Sequence, residues 1–149
     1  MHHQNTKIMN KEKIIQNAGK IFIGFSALSL LSVSVLSLFD PAATMALVQV
    51  ELGNNDALSS IRGVYGGVGI SIVALLVHLY FTNPVLALRY LTLFWGLYAL
   101  SRLITLLADG PLGDFGSRWI MIETVLFATG LLLIIAGTRN TKHERAQLY

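Results

Sequence analysis

Five charged side chains lie inside or at the edges of otherwise apolar stretches: Arg62, Arg89, Arg102, Asp109 and Glu123. An ion is costly in hydrocarbon, so each must face a partner, a cavity or the headgroup layer. Tyr98, Arg102, Thr105 and Asp109 are spaced four, three and four, which places them on one face of a helix. Arg62, Tyr65, Gly66 and Gly69 form a matching stripe, and Glu123, Phe127 and Gly130 a third. The charges of Arg62, Arg102, Asp109 and Glu123 sum to zero, as a low-dielectric interior requires. Two kinds of chemistry are open to them. In one, Arg102 and Glu123 form a structural ion pair between helices while Arg62 and Asp109 reach into the interface. In the other, the helices part to form a polar pocket. There the arginines bind an anionic or carbonyl-bearing ligand, and Tyr65 or Tyr98 lines the wall.

Much other chemistry is excluded by composition. The chain has no cysteine, which rules out disulfides, thiolate metal sites and thiol nucleophiles. His-Glu-x-x-His, a glycine-rich phosphate loop and Gly-x-Ser-x-Gly are all missing, so no catalytic motif is recognisable and no cofactor or metal is expected. His78 stands without neighbouring ligands, which favours interfacial packing over a proton site. The net charge is +3, but the basic residues gather at the chain ends rather than on one continuous face, which does not suit nucleic acid.

The elements that position these residues follow from hydropathy. Of 149 residues 54% are hydrophobic and 13% charged, against roughly a quarter charged in soluble domains. Mean hydropathy is +0.61. Four apolar runs, at about residues 21–39, 61–81, 85–107 and 119–136, each approach the ~20 residues needed to cross a bilayer. The expected fold is therefore an all-α, integral-membrane four-helix bundle spanning residues 21–136. A polar, basic segment (1–20) precedes it and a polar tail (137–149) follows. The first run exceeds the usual 7–15 residues of a signal-peptide core, which favours an uncleaved anchor.

Asp40-Pro41 opens the first long loop, and the sequence to about Leu52 reads as a short interfacial helix. Thr82-Asn83-Pro84 is a compact turn, and Asp109 to Gly116 is dense in turn formers. Lys7, Lys11, Lys13 and Lys20 before the first run, and Arg139, Lys142 and Arg145 after the last, place both termini in the cytoplasm by the positive-inside rule. That topology puts Arg62, Arg102, Asp109 and Glu123 in the outer half. Gly63, Gly66, Gly67 and Gly69 suit close helix packing, and Gly63 with Gly67 offers a contact face for a homo-oligomer or a membrane-protein partner.

The block Ser60-Ile61-Arg62-Gly63-Val64-Tyr65-Gly66-Gly67, followed by Arg102, Asp109-Gly110 and Glu123, resembles a bacterial family of small four-helix membrane proteins. That family is catalogued as domain of unknown function 4345. The likeness runs from about Phe39 to Ala136, and Arg-x-x-Tyr-Gly-Gly is its most specific element. It implies a fold and a place in the bacterial inner membrane, among membrane lipids, and brings no activity with it. The functional expectation is a non-catalytic adaptor or a small-ligand or lipid-binding bundle. The alternative is an oligomeric transporter or intramembrane enzyme that uses Arg62, Arg102, Asp109 and Glu123 as a substrate site.

Overall fold

In the computed structural model the backbone is described for residues 2–147 and the side chains for residues 10–138. The order of elements is α1 (His2–Phe39), α2 (Pro41–Ala46), α3 (Asn55–Ile61), a π-helical turn (Arg62–Gly67), α4 (Val68–Thr82), α5 (Pro84–Ala108) and α6 (Asp114–Gln147). Helix α3, the π-helical turn and α4 run on as one helix. Among the described residues, four stretches are thus long and apolar enough to cross a membrane: Asn10–Phe39, Asn55–Thr82, Pro84–Ala108 and Asp114–Thr138. Phe25, Leu93, Val125 and Leu132 are each at least 60% exposed along them, apolar surface that a bilayer can solvate and water cannot.

The helix ends follow from local hydrogen bonding. Asp40 Oδ1 accepts from the Ala43 amide, Asn54 Oδ1 from Ala57 and Asn83 Oδ1 from Leu86, each satisfying an N–H that the first turn leaves free. Pro41 and Pro84 occupy first-turn positions, where proline loses no hydrogen bond. Beyond the Asp109 cap of α5, Gly110 takes φ +106°, a left-handed conformation that ends the helix at little steric cost.

Helix α2 is shorter than the expected span to Leu52. It stops at Ala46 because Gln49 turns left-handed (φ 59°) and the Val50 amide folds back onto the Met45 carbonyl. Gln49 is not a residue that advertises such a turn. The helix also docks inward, burying Pro41, Thr44 and Met45. The transmembrane helices likewise extend past the apolar runs, since a helix continues into the headgroup layer wherever its polar residues remain compatible with it.

Close contacts set the helix registers. A Cβ on Gly66 would come within 2.6 Å of Leu38 Cγ, and one on Gly69 would collide with Ser34. Together with the Lys20 ammonium 5.8 Å above the Tyr80 ring, these pairs run α1 antiparallel to the second span along its length. Thr92 against Gly130 and Gly96 against Phe127 do the same for α5 and α6. Helices α1 and α5 run parallel, with Gly19 near Leu88 and the Trp95 indole donating to the Ser26 hydroxyl (3.2 Å).

The interior divides by depth. Phe22, Ile23, Leu76, Ala87, Leu91 and Trp95 form one apolar core in the half nearer the Asn83 turn. Toward the opposite end the buried groups are mostly polar: Ser34, Ser37, Thr44 and Glu123. The serines satisfy themselves locally. Ser34 and Ser37 donate to the carbonyls of Leu30 and Val33, and the Ser37 and Thr44 hydroxyls lie 3.0 Å apart.

Candidate functional site

The polar end centres on Arg102 and Glu123. Arg102 Nε donates to Glu123 Oε2 at 2.6 Å and Nη2 to Oε1 at 2.9 Å, so the guanidinium grips both carboxylate oxygens in a planar fork. Glu123 is 1% exposed, whereas 21% of the Arg102 side chain remains accessible. This is the one ion pair among the described residues, and it joins α5 to α6. Its position continues the register set by Thr92–Gly130 and Gly96–Phe127, which is why the two side chains meet head-on.

Aromatic rings frame the pair. The Arg102 guanidinium carbon lies 5.7 Å from the Phe115 ring centroid, a cation–π distance, and Phe115 stacks on Trp119. Tyr98, one helical turn before Arg102, packs on Phe94 at 4.9 Å and on Trp95 at 6.2 Å. A chain of contacts therefore runs from the buried Ser26 through Trp95 to Tyr98, which lies one helical turn before Arg102.

The other sequence-selected charges stand apart from it. Arg62 is exposed, and its Nε donates to the Leu38 carbonyl at 3.1 Å, capping the C-terminal turn of α1 with a cation. Asp109 is an exposed C-cap of α5 and makes no ion pair among the described residues. The balanced set of four charges is in geometry one closed pair, an arginine that caps the end of α1 and a carboxylate at the end of α5. On the second span, Arg62, Gly66 and Gly69 face α1 rather than α5. Tyr65 sits on the flank of that stripe, 39% exposed. Gly63 has open space where a side chain would be, and Gly67 meets only its own helix's backbone, so both lie on the outer surface. Arg89 and His78 are exposed.

Sequence reasoning missed the buried hydroxyls and Phe115. Ser26, Ser34 and Ser37 recur at helical spacing on α1, a small-residue pattern that could have marked this face as the one turned inward. Nothing in the sequence directs Phe115 toward Arg102.

Fold and site together define a multi-pass membrane protein: a four-helix bundle with one interhelical arginine–glutamate pair in a polar end of its interior. More narrowly, the chain belongs to the family described as a domain of unknown function, DUF4345, whose profile matches residues 18–137. No curated protein and no solved structure matches it.

Proposed function

We propose that this protein is a non-catalytic bundle of the bacterial cytoplasmic membrane, with both termini inside, that serves as a fixed binding platform for a small ligand, a lipid or a membrane partner. The observation that carries this reading is the closed Arg102–Glu123 fork. Both carboxylate oxygens are engaged and the acid is sealed from its surroundings. A group that handles protons or substrate would need at least one oxygen free to exchange. Here the acid neutralises a cation and clamps α5 to α6.

A double-mutant cycle read by thermal melting in detergent tests this. Glu123→Ala leaves the guanidinium without its counter-ion and is expected to cost about 3–5 kcal/mol. Arg102→Leu with Glu123→Leu fills the same space without charge and is expected to recover most of that loss. A double variant as unstable as the single one would exclude a purely structural pair.

A further inference from the structure

Between α2 and α3 the chain exposes three apolar side chains within four residues: Leu47 is 50% accessible, Val48 45% and Val50 46%. None of them belongs to a span. In a loop standing clear of the membrane such a cluster would be hydrated at a cost, so its depth decides what covers it.

Depth follows from the helix register. Helices α1 and α5 run parallel with facing residues 69 positions apart, as in Ser26 with Trp95 and Gly19 with Leu88. The same offset sets Ser37 level with Leu106, and Phe39 level with Ala108, where α5 ends. The 25 residues of α5 extend about 38 Å against about 30 Å of hydrocarbon, so a centred span leaves about 4 Å beyond the acyl chains at each end. Ser37, two residues inside the end of α1, therefore lies at the boundary between acyl chains and headgroups. Phe39 and Leu107, 81% and 78% exposed, carry the lipid-facing surface of the spans up to this level.

Helix α2 stays there. The Thr44 hydroxyl lies 3.0 Å from that of Ser37 and both residues are buried, so four residues past Asp40 the chain has folded back to the depth of Ser37 instead of rising from it. Pro41, Thr44 and Met45 are turned against the bundle, which leaves lipid contact to the turn that follows. In that turn the Val48 and Val50 amides donate to the Met45 carbonyl at 3.0 and 3.1 Å, and the Gln49 amide donates to the Ala46 carbonyl at 3.1 Å. The left-handed Gln49 (φ 59°) closes the turn on itself. Three consecutive amides are thus satisfied without water, as backbone entering a water-poor layer requires. Polar residues resume at Glu51 and again at Asn54, Asn55 and Asp56.

We propose that the turn at residues 47–50 is a wedge seated in the bilayer interface, with Leu47, Val48 and Val50 against the acyl-chain boundary of the leaflet at this end of the bundle. The occupant of this surface is lipid, because the turn sits at boundary depth and continues the exposed apolar surface of the spans. The wedge does not depend on the binding-platform reading.

The test uses the full chain in phosphatidylcholine and phosphatidylglycerol nanodiscs, where both faces are accessible. Leu47→Cys, Val48→Cys and Val50→Cys each carry a nitrobenzoxadiazole dye, at positions exposed enough to accept it. Gly53→Cys, which meets open space, is the water-facing control, and Phe25→Cys, 60% exposed near mid-span, is the deep control. Lipids brominated near the glycerol end of their chains are expected to quench the three dyes by at least about half, and aqueous iodide to quench them at least about threefold less than at Gly53→Cys. Lipids brominated near the chain ends are expected to quench Phe25→Cys more strongly than these three. Iodide quenching equal to that at Gly53→Cys would overturn the wedge in favour of a hydrated loop. Protection from both iodide and brominated lipid would overturn lipid as the occupant in favour of a second copy of the chain.

Discussion

A buried charge and a buried indole pose the same problem, a polar atom that water can no longer reach. The bundle solves both across helices. Glu123 is met by a two-pronged donor from α5, and the Trp95 N–H by a serine of α1 that is itself fully buried. Ser26→Ala should therefore leave the indole donor unsatisfied and lower stability by about 1–3 kcal/mol in a detergent melt. An unchanged melting temperature would mean that the indole finds another acceptor. The meeting of Arg102 with Glu123 is legible in the sequence, because ions inside apolar runs stand out and helical rise gives their depth. Depth does not give rotation. Arg62 and Asp109 lie at comparable levels, yet one turns to the α1 terminus and the other to the surface.

Rotation matters equally for the helices, whose packing rests on where side chains are missing. Within Arg62–Gly67 and the turn that follows, glycine spacing alone marks a helix fit for close approach but does not say which glycines make it. Gly66 and Gly69 accept Leu38 and Ser34 of α1, while Gly63 points into open space. Gly66→Ala should force a methyl into Leu38 and cost about 1–3 kcal/mol. Gly63→Ala should be neutral or stabilise by up to about 1 kcal/mol, since it meets nothing and favours the helix. Comparing the two variants by thermal melting checks the assignment, and the reverse order would place the wrong face against α1. Other features lay beyond sequence reading because their causes are not local. Helix α2 stops at a left-handed glutamine, and the serines of α1 look like ordinary small residues until a neighbour buries them.

At the scale of the whole molecule, four spans were readable from run length and composition, since each apolar stretch is near the length a bilayer requires and hydrocarbon admits few alternatives to a helix. The same fold brings Arg62, Arg102, Asp109 and Glu123 toward one end of the bundle, and the apolar core toward the other. Which end faces outward rests on lysine and arginine counts in the flanking segments. The absence of native cysteine gives a labelling background of zero. Gly53 and Gly113 have open space for a side chain in the two loops expected outside, and Thr82 is exposed at the turn expected inside. The most direct measurement is labelling of intact cells with a membrane-impermeant maleimide, using Gly53→Cys, Gly113→Cys and Thr82→Cys one at a time. A bundle with both termini in the cytoplasm predicts that the first two label at once and that the third labels only after permeabilisation. Immediate labelling at Thr82→Cys, with protection of the other two, would contradict it.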